Sequence, residues 1–439
     1  MLMVESVGNG LRKRVVLLTS MLMVINALID SDISLVFDIY FVIMFLFLPV
    51  EGIVELLCFL FPLVNMFEVS HVMLAALAIM IFKRRTINVS SAFFIVFFAS
   101  LELAAHFVYG VSGFNRVIGY MVTVAVLFYL TYENLELIDR LRCIRCFVYG
   151  VAILFGVYFL NMIVMEGTGA FELILSGKQR FGATASKEFT DMKISLNANM
   201  LAYYSVCGIT AVLVLNSNDA TTKMKRIVLW GLASLFGFFG VITISRSWVL
   251  VLAIVLMIYV LFCERNAVSR FTRLVTVGLV CLIAVWVLSK QTTLIESLVL
   301  RFQSEGIETG GGRVTTSLQY LKAFFETDSF ILMGTGVTDY GELIYNQFSI
   351  HNGLIQILVC LGVPGALVMI AALYTPTVKA VLSRTRIIYF LPIIAVLCFT
   401  QTIQFLNPNS IMLPYIIGVF ALQLGTLEEK GGRQVCKSI

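Results

Sequence analysis

Charge is what this sequence most lacks. Aspartate, glutamate, lysine and arginine together make up 13% of its 439 residues, and it has three histidines and seven prolines. A water-soluble domain carries roughly 25% charged residues, so a soluble fold is excluded. Alternation of polar and apolar residues at period two is also missing, which excludes the strands of a membrane barrel. No repeat of fixed period and no low-complexity tract occurs, which excludes a solenoid. The nine cysteines are scattered singly, apart from Cys143-Ile-Arg-Cys146. One such pair, without a second pair or neighbouring histidines, does not make a metal site. It reads as a reduced pair in a basic loop between two spans, and the other cysteines as small packing residues.

What is present is hydrophobic length. Apolar residues make up 59% of the chain, and the mean hydropathy is +0.96. The apolar stretches are each long enough to cross about 30 Å of hydrocarbon at 1.5 Å per residue. They read as 15–30, 34–50, 52–66, 69–82, 91–109, 116–132, 146–165, 196–215, 227–244, 247–263, 272–288, 352–374, 387–403 and 411–425. That is an all-α polytopic membrane protein, one integral membrane domain over 1–439, with about 14 helices. The count falls to 12 if the pair turning at Pro49-Val50-Glu51-Gly52 is a shallow hairpin. Arg12, Lys13 and Arg14 precede the first apolar run and no small-residue cleavage site follows it, so that run is read as an uncleaved helix.

Alternating the spans from an internal N-terminus collects the basic residues on one side. Arg12/Lys13/Arg14, Lys83/Arg84/Arg85, Arg140/Arg142/Arg145, Lys223/Lys225/Arg226, Arg265/Arg270/Arg273, Lys379/Arg384/Arg386 and Lys430/Arg433/Lys437 all fall inside. By the positive-inside rule both termini are then cytoplasmic. The net charge of +5 is explained by this placement and implies no nucleic-acid partner.

Two large external loops remain, 166–195 and 289–351. They hold Lys178, Arg180, Lys187, Lys193, Lys290, Arg301, Arg313 and Lys322, cations on the side the rule disfavours. Keeping them there suggests an anionic ligand. In the second loop Val314, Leu318, Leu321 and Phe325 recur at helical spacing, with Thr316, Gln319, Lys322 and Glu326 on other faces. This predicts an amphipathic helix. Arg313 stands at its first turn after three glycines, where backbone N–H groups also favour an anion.

Four further places could carry chemistry. Arg246, in Thr243-Ile-Ser-Arg-Ser247, sits between two apolar segments at the external boundary, and its five-donor fork suits a diphosphate whose lipid tail stays in the bilayer. His351-Asn352 opens an apolar segment at the external mouth, where an ionisable ring is costly without a task. Glu102 and His106 lie four residues apart on one helical face, as a proton relay or as a structural pair. Tyr320, Tyr340 and Tyr345 could stack on sugar rings or anchor the loop at the interface.

Taken in order, these residues resemble a known family. His351-Asn352, nine residues and then Gly362-x-x-Gly365 is similar to the motif of bacterial O-antigen ligases and the related O-antigen and capsular-polysaccharide polymerases. Ser245-Arg246-Ser247, Gly312-Arg313, Gly334-Thr-Gly336, and Arg180-Phe-Gly182 followed by Asn197-Ala-Asn199 resemble its other stations. The likeness runs from about Arg180 to Gly365. One departure is Ala366, where the ligase-type motif often carries threonine.

The resemblance implies inverting glycosyl transfer on the external face of the bacterial inner (plasma) membrane. The donor would be an undecaprenyl-diphosphate-linked glycan and the acceptor the hydroxyl of a lipid-linked repeat unit. Arg246 and Arg313 would neutralise the leaving diphosphate, with Arg180 and Arg301 as further contributors. His351 would act as the base or hydrogen-bond the diphosphate. Asn352, Tyr320 and Tyr345 would contact substrate. With no histidine cluster to hold a divalent ion, the expectation is a metal-independent enzyme with no cofactor, and a chain-length regulator protein is a candidate partner. The first alternative is a ligase that transfers finished glycan to lipid A core or protein. The second is a transporter, which would place ionisable groups and broken helices near the midplane, commonly in two matching halves.

Overall fold

The computed structural model describes residues 15–25, 34–66, 70–110, 113–133, 138–182, 196–218, 223–263, 313–337, 350–406 and 412–437, with a few single positions between them. Apolar runs in this chain continue as helix until a short polar side chain or a glycine intervenes. The helices, in order, are α1 (Val15–Ile25), α2 (Ser34–Phe47), α3 (Val50–Leu60), α4 (Ser70–Arg84), α5 (Val89–Tyr109), α6 (Phe114–Tyr132), α7 (Arg140–Glu166), α8 (Thr168–Leu175), α9 (Ala198–Ser217), α10 (Lys223–Ile242) and α11 (Arg246–Phe262). They continue with α12 (Arg313–Glu326), α13 (Asp328–Met333), α14 (Gly353–Leu382), α15 (Leu391–Phe399) and α16 (Leu413–Lys437). Short 3-10 turns at Phe61–Met66 and Ile387–Phe390 extend α3 and precede α15. Among the described residues there is no strand.

Several starts are set by side-chain caps that the sequence displays. Asn88, Asp139, Asn197 and Asn352 accept backbone N–H groups of the first turns of α5, α7, α9 and α14. A cap of this kind is worth about 1 kcal/mol. Among the described residues six helices (α5, α6, α7, α9, α10 and α14) are long and apolar enough to cross a membrane, and shorter apolar helices accompany them. The protein is therefore all-α and membrane-embedded. Every expected span falls on a helix except 272–288, nearly all of which lies outside the described residues.

Burial sorts the helices. The apolar window of α9 is 89% buried, against 22% for α5 and 28% for α10, so α9 is the hub and the other two present Phe93, Val96, Phe107 and Val228 outward. α3 is interior as well, with Gly52 through Leu60 all enclosed.

Long-range contacts gather into two opposite ends. At one end, Arg84 meets Glu133 at 3.5 Å and the Asn88 amide donates to the same carboxylate at 2.8 Å. Arg140 reaches Gln423 at 2.7 Å, Asn218 reaches Glu428 at 3.0 Å, and Tyr389 reaches Glu428 at 2.5 Å. At the other end, 180–182, 197–199 and 242–246 are bonded to one another, 334–337 to 359–360 and Glu102, and 353–356 to 400–406. Ion-pair and side-chain bonds make the joints of the first end, and at the second end side-chain bonds are joined by backbone-to-backbone ones.

Two local expectations change. Cys143 and Cys146 lie in the first turns of α7, not in a loop, because capping by Asp139 starts the helix six residues earlier than hydropathy suggests. Cys143 is enclosed beside Cys58. The amphipathic helix of the second loop exists as α12, but its protein-facing side is Ser317, Tyr320 and Phe324, the last two 0% exposed. Val314, Leu318 and Phe325 are 51%, 60% and 63% exposed. Their stripe turns away from the protein interior, and in a membrane protein apolar surroundings on both sides of such a helix are compatible with its periodicity.

Candidate functional site

The second end of the bundle holds the expected site residues that the structure describes, and it is assembled by side-chain and backbone bonds together. Its first node joins the loop after α8 to the ends of α9, α10 and α11. Arg180 donates from Nε to the Thr243 carbonyl at 2.9 Å and from Nη2 to Asn199 Oδ1 at 3.3 Å. Ser245 Oγ donates to the same Asn199 oxygen at 3.1 Å, and the Phe181 amide bonds the Ile242 carbonyl at 3.0 Å. Gly182, at φ +116°, lies so close to Ala198 that a Cβ would stand 2.5 Å from its Cα. Arg180, Asn199 and Ser245, far apart in sequence, thus form one unit, and Arg180 acts in it as a brace.

That node sets Arg246. The turn from α10 into α11 places Ile244 at φ +50°, a conformation that costs a β-branched residue about 1–2 kcal/mol. The result is Arg246 half-buried at the first position of α11. A cation there opposes the helix dipole, which favours an anion by about 0.3–1 kcal/mol. An anion at this point would be drawn by the guanidinium and by the free N–H groups of the first turn together. Arg313 likewise occupies the first position of α12, though its side chain lies outside the described residues.

The second node surrounds the start of α14. His351 is half-buried immediately before it. Asn352 Oδ1 accepts from the Leu354 and Ile355 amides, each at 3.1 Å, so that oxygen is committed to the cap. The Gly353 amide bonds the Thr400 carbonyl at 2.5 Å, and Gln356, 1% exposed, accepts from the Leu406 amide at 2.9 Å. The mouth of α14 is thereby pinned to the segment following α15.

The third node explains two glycine motifs at once. α14 breaks at Gly362, φ +67° and ψ 177°, so its two parts are not collinear. Pro364 has no N–H to give the Cys360 carbonyl four residues earlier. The Gly336 amide supplies that bond at 3.0 Å, and the Thr335 amide serves the Val359 carbonyl at 3.0 Å. Gly334, at φ +73°, approaches so closely that a Cβ would stand 2.2 Å from the Cys360 oxygen. Pro376 frees the Ala372 carbonyl in the same way, and Tyr132 donates to it at 2.5 Å. Glu102, 1% exposed within α5, accepts from the Val337 amide at 2.8 Å. This buried carboxylate is an anchor for the loop, while His106 packs on Phe114 with ring centroids 5.8 Å apart.

Tyr320 is enclosed by protein rather than presented to an open groove, and burial pushes its phenol up to about 12, so it stays protonated near neutrality. Arg301 and Tyr345 lie outside the described residues, as do Tyr340 and the glycine run before Arg313.

Two carboxylates escape a reading of the sequence. Glu166 ends α7 and Glu172 lies on α8 after the turn at Gly167, φ +76°, and both line a groove of about 620 Å³ with Ser176, Lys178 and Gln179. Glu166 Oε1 and Gln179 Oε1 are enclosed there without a hydrogen-bond partner among the described residues. Buried acceptors call for donors, and a polyhydroxylated ligand offers them. No spacing rule pairs these residues, since the turn that brings them together depends on one glycine. The expectation of metal independence also assumes that no Asp-x-Asp is present, whereas the sequence carries Asp30-Ser31-Asp32, which lies outside the described residues.

Comparison of the chain with protein-family models finds no match, and comparison with curated proteins finds none either.

Proposed function

We propose that this protein is a polysaccharide polymerase that transfers an undecaprenyl-diphosphate-linked glycan onto the non-reducing-end hydroxyl of a lipid-linked repeat unit. The observation that carries this reading is the Arg180–Asn199–Ser245 node that sets the Arg246 helix start, with the His351 mouth and the Gly334–Gly336 brace as further nodes at that end of the bundle. The arginine-rich end is taken as cytoplasmic by the positive-inside rule. That gives about 14 spans, internal termini, and the proposed site on the periplasmic or extracellular face of the inner membrane.

In this mechanism the acceptor hydroxyl attacks the anomeric carbon of the donor and gives its proton to His351. The bond to the diphosphate oxygen breaks, and the leaving charge is taken up by Arg246 and Arg313 at their helix starts. Arg180 positions Arg246 through the shared Thr243–Ser245 turn. The groove of Glu166 and Gln179 is suited to the acceptor's sugar hydroxyls. Arginine stands in for a divalent ion, so chelation should leave activity intact.

The transporter reading draws on the break in α14. Its freed carbonyls are already occupied by Thr335 and Gly336, which leaves less for an ion or solute to bind. Ala366 favours polymerase over ligase.

The test is cell-free elongation of lipid-linked repeat units by purified protein. Arg246→Ala and His351→Ala should each lower elongation by about 10²–10³-fold with folding intact. Near-normal elongation by both folded variants would sink the site assignment. Transfer to lipid A core in preference to a repeat unit would instead select the ligase.

A further inference from the structure

At the arginine-rich end, the first turns of α1, α7 and α10 enclose a groove of about 740 Å³. It is separate from the three nodes above. On α7 its lining runs Arg142, Arg145, Cys146, Tyr149, Ala152 and Ile153, a single helical face. The cations lie at the helix start and the apolar residues follow. Ile153 is about 16 Å deeper along the axis than Arg142, at 1.5 Å per residue. α10 repeats the order, with Lys225 ahead of Val228 and Leu229, and α1 adds Val16 and Leu17. Leu17, Tyr149, Met224 and Val228 are exposed, so this wall is an apolar outer surface of the protein.

The charges do not cancel. Arg142 pairs with Asp139 at 2.9 Å, and Glu55 lies on the wall almost fully enclosed. Among the described residues no carboxylate lies within ion-pair distance of Arg145 or Lys225. A groove with Arg145 and Lys225 outside any ion pair at its mouth, one positive charge in excess of Asp139 and Glu55, and an exposed apolar wall beyond has the polarity profile of one molecule, a phospholipid. Basic pockets between helices at this depth favour anionic headgroups, by about 1 kcal/mol per cation.

We propose that this groove is a binding site for an anionic phospholipid, its phosphodiester held by Arg145 and Lys225 and its acyl chains laid along Tyr149, Ile153 and Val228. The site is independent of the glycosyl-transfer reading.

The experiment uses the full chain purified in detergent, given phosphatidylglycerol or phosphatidylcholine, with retained lipid measured by native mass spectrometry. Wild type should retain phosphatidylglycerol in preference to phosphatidylcholine. Arg145→Gln and Lys225→Gln should each weaken that retention about 5-fold. The charge-preserving exchange of Arg145→Lys with Lys225→Arg should restore most of it, which separates lost charge from lost folding. Removing two exposed cations outside the groove at the same end, Arg384→Gln with Arg386→Gln, should leave retention unchanged. Equal retention of the two lipids would overturn the proposal, and so would an equal loss from the Arg384 and Arg386 variant, because then only diffuse charge is at work. Displacement of phosphatidylglycerol by millimolar inorganic phosphate would overturn it as well, since the acyl wall would then contribute nothing.

Discussion

The two ends of the bundle solve the same problem, joining helices across a boundary, with different atoms. At the arginine-rich end the joints are side chains: Arg84 and Asn88 on Glu133, Arg140 on Gln423, Tyr389 on Glu428. Long side chains tolerate small shifts of the helices that carry them. At the opposite end side-chain bonds from Arg180, Ser245, Glu102 and Gln356 are reinforced by joints of backbone on backbone: Phe181 on Ile242, Thr335 and Gly336 on Val359 and Cys360, Gly353 on Thr400. Such joints allow almost no drift, and they need glycines or strained residues where chains come close. A rigid polar end is what a preorganised site requires. The looser end is suited to anchoring at headgroups.

The sharpest way to break this contrast is at a close approach. Gly334→Ala places a Cβ against backbone at a left-handed φ, where nothing flexible can yield, so it should destabilise the protein by more than about 4 kcal/mol. Gly231→Ala, with nothing within 4 Å, should change stability by less than about 1 kcal/mol. Thermal unfolding in detergent compares the two, and similar midpoints would show that the brace is not tight.

A smaller effect sharpens the orientation of α12. Phe324→Ala removes an enclosed ring and should cost about 3–5 kcal/mol. Its neighbour Phe325→Ala, on the exposed stripe, should stay within about 0.5 kcal/mol. The reverse ranking would mean that Leu318 and Phe325 face the protein after all.

The smallest separates cap from ligand at Asn352. Asn352→Ala should lose about 1 kcal/mol and Asn352→Ser should keep the cap. Elongation by the serine variant is expected within a few-fold of wild type. A loss beyond about tenfold, with stability retained, would assign the asparagine amide to substrate.

Much of the bundle was legible beforehand for a simple reason. A helix in hydrocarbon satisfies its own backbone bonds, so hydropathy and length predict it without knowledge of neighbours. Caps such as Asn88, Asn197 and Asn352 are local and equally readable. Which face of α12 turns inward was not, because hydrocarbon and protein interior reward the same residues. Nor was the pairing of Glu166 with Gln179, which depends on the turn at Gly167.

By itself the sequence determined an all-α membrane protein, the positions of nearly all its described helices and the order of its polar stations. Local hydrogen bonding and transfer from water suffice for those. Only the tertiary structure decided that Gly334–Gly336 and Gly362–Pro364 are two halves of one joint. It alone decided that Arg180 braces the turn presenting Arg246, and that Glu102 holds a loop. Those outcomes depend on which freed carbonyl meets which distant amide. No period or spacing along the chain encodes that meeting.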